Sequence, residues 1–384
     1  MMRIACIAAS EVPSRKANSI RVMKVCQAFR TLGHEVKLWL PGKDPEVGWE
    51  ALSEQYRLKQ SFDLAWILTV RWLRRYDFGV KAVMEAREWG ADLMYAWPLQ
   101  SASFASLINQ KTLFEVHDRP RGTFGPTLFR LMLRGRGLER ILPISESLEM
   151  WLEKHYRLSR FRCDSLVIRS GVDLDGYRDI PEPSEARRHL GYRDVLTVGY
   201  TGHLYPGRGV ELLYELAKRN PEIQFLWVGG TEEAIQSWRE ILSAEGVNNI
   251  LLAGFKSQEE LPLYQAASDI LVMPYEKKIL VSSGANTEKF ASPMKVFEYM
   301  AAGRPILSSD LPVLREVLHQ DIAMFAPPED VDAWNQALRE LIDDQDLRRK
   351  IAKASRNEVH KYSWESRAER ALRGLSIGSD GGEG

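Results

Sequence analysis

The chain opens on an unbroken apolar run, Ile4-Ala5-Cys6-Ile7-Ala8-Ala9. It is too short to span a membrane and too continuous for a strand with one wet face. It reads as a strand buried on both sides of a parallel sheet. A polar loop, Ser10 to Ala17, follows. Asn18-Ser19 then reads as an N-cap pair for a helix from about Ile20 to Leu32, with Val22, Val25, Phe29 and Leu32 on one face. Gly33 stops that helix, and Glu35 to Leu40 returns as a second strand. Strand, loop, helix, strand is the repeating unit of doubly wound α/β domains. Further strands read at Asp92–Tyr95, Lys111–Val116, Ile141–Ile144, Val195–Tyr200, Ile223–Val228, Asn249–Ala253, Ser268–Met273 and Ile306–Ser308. Leu166 to Asp173 reads as a strand and turn.

The length of 384 residues suits two such domains. We expect them at 1–180 and 190–360, joined through the polar, Pro181- and Pro183-containing segment 175–185, with a last helical piece at 361–375 and a disordered Gly/Ser/acidic tail at 376–384. A hydrophobic fraction of 45% and a charged fraction of 27% are those of a soluble globular chain, and a formal net charge of zero gives no argument for nucleic acid. Cys6, Cys26 and Cys163 have neither metal spacing nor a disulfide framework, which fits a cytoplasmic location. The amino terminus turns polar too soon for a signal peptide. No acidic cluster calls for a metal.

The most informative stretch is Ser292-Pro293-Met294-Lys295-Val296-Phe297-Glu298-Tyr299-Met300-Ala301-Ala302-Gly303-Arg304-Pro305-Ile306. Ser292 is expected to cap a helix, Pro293 to take its first position, and Gly303 to end it. The helix start offers unpaired N–H groups and a positive dipole end. Lys295 adds a cation in the first turn, where helix electrostatics favours an acid; a bound anion would account for it. Glu298, one turn on, suits the two hydroxyls of a ribose. The plainer reading is an ordinary amphipathic helix with both charges on its wet face.

The run SPMKVFEYMAAGRPILSSD resembles the donor-binding segment of the family 4 glycosyltransferases, retaining enzymes of the GT-B fold, in the subgroup with the SPxKxFEYMAxGxPI form. The resemblance implies two Rossmann-like domains facing each other across a cleft, the last helix crossing back onto the first domain. It implies hexosyl transfer from a nucleotide-diphosphate sugar (UDP- or GDP-) to a glycan or lipid-linked acceptor, with retention and with neither cofactor nor metal. The backbone around Ser292, Met294, Lys295 and Val296 would bind the donor diphosphate, and Glu298 the ribose. The glycine-rich turn Thr201 to Gly209 would add Gly202, His203 and Arg208, and the loop at Phe255 would hold the base. His117, at the end of a strand, would contact the transferred sugar. Asn18 and Ser19 would aim at the phosphate. His117, Arg208, Lys295 and Glu298 are the candidate catalytic group. A sugar-nucleotide epimerase of the same fold and a non-catalytic nucleotide-binding partner are the alternatives.

Three positions depart from the family pattern. Phe290 stands where many members carry a second glutamate, with Glu288 near but out of register. Arg15-Lys16-Ala17-Asn18-Ser19 replaces a glycine pair, and His203 replaces one of two cations. Phe62–Tyr76 and Thr127–Arg140 mix apolar and basic residues; as amphipathic helices they would suit peripheral contact with an anionic membrane, and equally they read as helices of the fold with snorkelling arginines. The loop 276–291 is long enough to suggest a functional role.

Overall fold

The computed structural model describes residues 1–70, 73, 76–277, 290 and 292–375. Seven strands form the first sheet: β1 (Arg3–Ile7), β2 (Glu35–Pro41), β3 (Asp63–Ile67), β4 (Leu93–Ala96), β5 (Thr112–Val116), β6 (Leu138–Pro143) and β7 (Asp164–Ser165), in the order β3-β2-β1-β4-β5-β6-β7. Six form the second: β8 (Thr197–Thr201), β9 (Gln224–Val228), β10 (Ile250–Gly254), β11 (Ile270–Met273), β12 (Ile306–Ser309) and β13 (Met324–Ala326), in the order β10-β9-β8-β11-β12-β13. All named pairings are parallel, and helices connect most of the strands. In each sheet the strand order reverses beside the first strand. The loops leaving β1 and β4, and those leaving β8 and β11, therefore part and open a crevice at the carboxyl ends.

The last helix, Trp364–Leu372, follows the second domain but packs on the first. Trp364, Ala368 and Ala371 lie in one core with Ile4, Val25 and Phe29 of β1 and the helix Ala17–Thr31. Arg140 of β6, buried, donates to the carbonyls of Ala371 and Arg373 at 2.8 and 3.0 Å, which satisfies the end of that helix.

Several sequence expectations are corrected. Residues 63–67 are not part of a helix from Phe62 to Tyr76; they form β3, with Trp66 and Ile67 paired to Leu40 and Pro41. Strand pairing outweighs the basic-apolar pattern there, and Arg71, Trp72, Arg74 and Arg75 lie outside the described residues. The segment 127–140 is split: a helix Gly125–Arg134, then β6 from Leu138. Only residues 164–165 are strand where 166–173 was expected, because Leu166 and Ile168 continue along β6 through single backbone bonds. Among the described residues, no helix is long and apolar enough to cross a membrane. The tail 376–384 and Glu288 are outside the described residues.

Candidate active site

The helix Met294–Ala302 begins one residue later than its sequence suggests. Pro293, extended, holds the cap position, and no side chain caps the helix start. Ser292 does not cap. Its hydroxyl accepts from the Ser170 amide at 2.9 Å, and its carbonyl accepts from Ser170 Oγ at 2.7 Å. Those bonds tie this segment to the chain around Ser170, which leads out of the first domain. Deeper in the helix, Tyr299 Oη accepts from the Thr201 amide at 2.8 Å, so the helix is fixed against the end of β8.

Lys295 and Glu298 do not lie on a wet face. Lys295 Nζ is buried without a hydrogen-bond partner among the described residues, 4.3 Å from the Tyr200 ring centroid and 5.0 Å from that of Tyr275. The two rings stabilise the ammonium through their π faces but accept no strong hydrogen bond. Burial, and then the nearby Arg208, push the Lys295 pKa well down; Glu298 opposes them. Burial pushes the Glu298 carboxyl up to about 7, against the pull of Lys295 and Gln265.

Across the helix start lies the turn after β8. Gly202 has φ +147°, and a Cβ there would meet Lys295 Nζ at 2.7 Å, so only glycine leaves the lysine its place. Arg208 sits with its guanidinium 5.2 and 5.0 Å from the Tyr205 and Tyr275 ring centroids and donates to Tyr205 Oη at 3.0 Å. The flanking amides, Gly207 and Gly209, are not open to a phosphate. Both donate to Glu276 Oε1, at 3.1 and 3.2 Å. His203 stacks on Tyr205, and burial, followed by Arg208 and Lys295, pushes its pKa down. It does not replace a permanent cation.

The first domain supplies the opposite wall. His117, just past β5, lies 2.7 Å by Nε2 from Glu115 Oε1 and 3.2 Å by Nδ1 from Arg21 Nη1. Glu115 is buried within β5 and pairs with Arg367 of the last helix at 2.6 Å. Burial alone would raise its pKa, but Arg367 and His117 hold it well below the usual carboxylate range. Arg21 reaches on to Ser170 Oγ at 2.7 Å and the Ser292 carbonyl at 3.3 Å. Sequence reasoning missed Arg21, Glu115 and Arg367. A glutamate inside the buried strand Thr112–Val116 was the available signal, because such a group needs a partner.

Asn18 and Ser19 do not precede the helix; they lie in its first turn, behind Lys16. Ser19 is buried and donates to the carbonyls of Ser14 and Lys16, so its hydroxyl is spent within the loop. Asn18 donates to Ser10 Oγ. Phe255 is 45% exposed, and Arg15 of the first domain stacks on its ring at 4.4 Å. Phe290 is buried against Trp151 and lines the cavity from the first-domain side.

Together these groups enclose a cavity of about 660 Å³ between the domains, lined by Arg21, His117, His203, Arg208, Met294, Lys295 and Glu298 among others. A second cavity of about 760 Å³ opens on the other side of His117, walled by Trp97, Phe114, Leu128 and Phe124. Glu316 of the second domain helps hold the cleft together: its carboxylate accepts from the amides of Glu146 and Ser147, at 2.7 and 2.9 Å, at the start of the first-domain helix Glu146–Tyr156. Among the described residues no cluster of three or more His, Cys, Asp or Glu side chains could hold a metal.

Comparison with solved structures decides the architecture. Sucrose-phosphate synthase from Thermosynechococcus elongatus superposes with a TM-score of 0.73 at 18% identity, covering 96% of this chain and 97% of that one. Anabaena HepE in complex with UDP and glucose gives 0.72 at 17% identity, covering 98% and 100%. The fold is GT-B. Within this GT-B chain, residues 183–358 match the family described as glycosyl transferases group 1. Among curated proteins, a putative teichuronic acid biosynthesis glycosyltransferase from Bacillus subtilis is 29% identical over 147 residues, 38% of this chain and 34% of its own length. A phosphatidyl-myo-inositol mannosyltransferase from Mycolicibacterium smegmatis is 25% identical over 221 residues, 56% and 52%. The chain thus spans about a third to a half of the length of these relatives. The matches support a glycosyltransferase family and do not favour an epimerase or a non-catalytic partner.

Proposed function

We propose that this chain transfers a hexosyl group from a nucleotide-diphosphate sugar to a glycan or lipid-linked acceptor, with retention. The observation that carries the reading is Lys295: a buried ammonium without a hydrogen-bond partner among the described residues, at an uncapped helix start, facing Arg208. Such a place is made for an anion. Glu298, on the same helix, receives the ribose and sets the donor's position. Lys295, Arg208 and the amides near Met294 stabilise the negative charge that grows on the leaving diphosphate. That support needs neither a metal nor a cofactor. UDP and glucose in the Anabaena structure fit this reading of the donor.

The acceptor enters through the cavity beside His117 and attacks on the leaving-group face, where a departing phosphate oxygen takes its proton. Exposed Phe124, which lines that cavity, and exposed Leu68 and Val70 suit a peripheral encounter with an anionic membrane at the cytoplasmic face. The test is nucleotide release from a panel of UDP- and GDP-hexoses, with water or a glycan as acceptor. Release that is lost in Glu298→Ala supports the reading; a folded protein that releases nucleotide from none contradicts it.

A further inference from the structure

We propose that Tyr275 is a positioning residue for the diphosphate, a single buried ring that holds the two cations Arg208 and Lys295 together without neutralising either; the inference rests on the donor-site reading above. Tyr275 follows β11 and is 2% exposed. Ser309 Oγ, at the end of the neighbouring strand β12, donates to its carbonyl at 2.6 Å and pins the backbone. The turn that carries Arg208 is pressed onto the same place. A Cβ at Gly209, which has φ +72°, would meet the Pro274 carbonyl oxygen at 1.7 Å. The helix Met294–Ala302 brings in Lys295. The Arg208 guanidinium and the Lys295 ammonium each lie 5.0 Å from the Tyr275 ring centroid. Three elements of the second domain thus converge on one ring.

Two like charges on one ring repel, and their inner atoms, Arg208 Nε and Lys295 Nζ, are buried without a hydrogen-bond partner among the described residues. The ordinary remedy is a carboxylate between them. A carboxylate there would pair with both cations and would repel an arriving diphosphate. A π face attracts the same cations and accepts no strong hydrogen bond, so their N–H groups stay available to phosphate oxygens. Ring and ligand therefore serve the same cations at once. Tyr200, whose Oη donates to the His203 carbonyl at 2.8 Å, faces Lys295, and Tyr205 faces Arg208. Of the three rings, Tyr275 alone faces both. Burial pushes the Lys295 pKa well down in the free protein, whereas a site holding a diphosphate needs the charge. The attraction of the ring for that ammonium is thus gained on binding rather than carried through it.

The test grades the π face and leaves the shape nearly constant. Tyr275→Phe is the reference, and the same position then takes phenylalanine bearing one, two or three ring fluorines, each of which weakens the pull of the ring on a cation. Affinity for UDP, GDP and ADP is measured by calorimetry, and the melting temperature is recorded for each protein. For the nucleotide that the wild type binds, we expect the dissociation constant to rise stepwise with fluorine number, by about fivefold or more across the series, while the melting temperature stays level. Tyr275→Leu, which fills space without a π face, should bind at least as weakly as the most fluorinated protein. If a fluorinated protein does not fold, Tyr275→Phe against Tyr275→Leu carries the same comparison, with affinity kept in the first and lost in the second. A level series would mean that the ring only fills space, and would overturn the proposal. Equal losses in Tyr275→Phe and Tyr275→Leu would assign the effect to the hydroxyl and overturn it too. A folded wild type that binds none of the three nucleotides overturns the donor-site reading itself.

Discussion

The Lys295 ammonium lies 4.3 Å from the centroid of the Tyr200 ring, with no hydrogen-bond partner among the described residues. Burial and the neighbouring Arg208 hold its pKa well below normal in the free protein. A diphosphate bound at the helix start, as proposed, would reverse that balance and favour the charged form. Nucleotide binding is therefore predicted to raise the Lys295 pKa, seen as proton uptake, and so as a dependence of the binding enthalpy on buffer ionisation, across the pH range in which the free side chain titrates. Lys295→Met should abolish the uptake and weaken binding by about tenfold or more. Binding without proton exchange in the wild type would contradict this account.

Glu298 gives a prediction with a definite sign. Its carboxyl has a reference value of 4.5 and is raised by burial to about 7. The folded protein thus holds the proton more tightly than the unfolded chain between those values, and the cost of the buried charge is fully felt above pH 7. Glu298→Gln is predicted to raise the melting temperature at pH 8, by a stabilisation of up to about 3 kcal/mol, and to leave it unchanged at pH 4. The same substitution should weaken nucleotide binding, and the wild type should lose affinity as pH falls through 7. A variant that is less stable at pH 8 would show that the carboxylate serves the fold rather than the ligand.

Glu276 holds the turn that carries Arg208 by accepting from the amides on either side of it. Glu276→Ala should release the turn and weaken nucleotide binding about tenfold. Glu276→Gln, whose amide oxygen still accepts, should recover most of the loss. Equal affinities in all three proteins would remove the positioning role.

Glu316 caps a helix that belongs to the other domain. Glu316→Ala should cost about 1 kcal/mol of stability, as for other lost caps, and should open the cleft. Small-angle scattering should show a larger radius of gyration for the variant without ligand, and turnover should fall as closure becomes less favourable. An unchanged profile would mean that the remaining contacts between domains suffice.

The two-sheet architecture was legible because apolar runs separated by helical patterns admit few other folds, and strands such as Ile223–Val228 and Ile306–Ser308 lie within one residue of those observed. The helix Met294–Ala302, proposed to bind the donor, was legible as a helix because Met294, Phe297 and Met300 recur at helical spacing and Gly303 ends it. The extents of two basic-apolar segments were misread as single helices, since composition alone does not distinguish a helix from the strand β3 or from the start of β6, where Arg140 satisfies a helix end. The wall opposite the donor helix was not legible. It joins residues 21, 115, 170, 292 and 367, and only the fold makes them neighbours. The Glu276 contact was missed for another reason: a glycine-rich turn predicts open amides, and nothing in its own sequence reveals that a carboxylate from the loop after β11, the neighbouring strand in the sheet, occupies them.

The most direct measurement is calorimetric titration of the protein with UDP, GDP and ADP, without added metal, alongside Glu298→Gln and Lys295→Met. The account predicts that one nucleotide binds the wild type and that both variants bind it at least about tenfold more weakly. Equal affinity in all three proteins, or a folded wild type that binds none of the nucleotides, would contradict the assignment of this cleft as a nucleotide-sugar site.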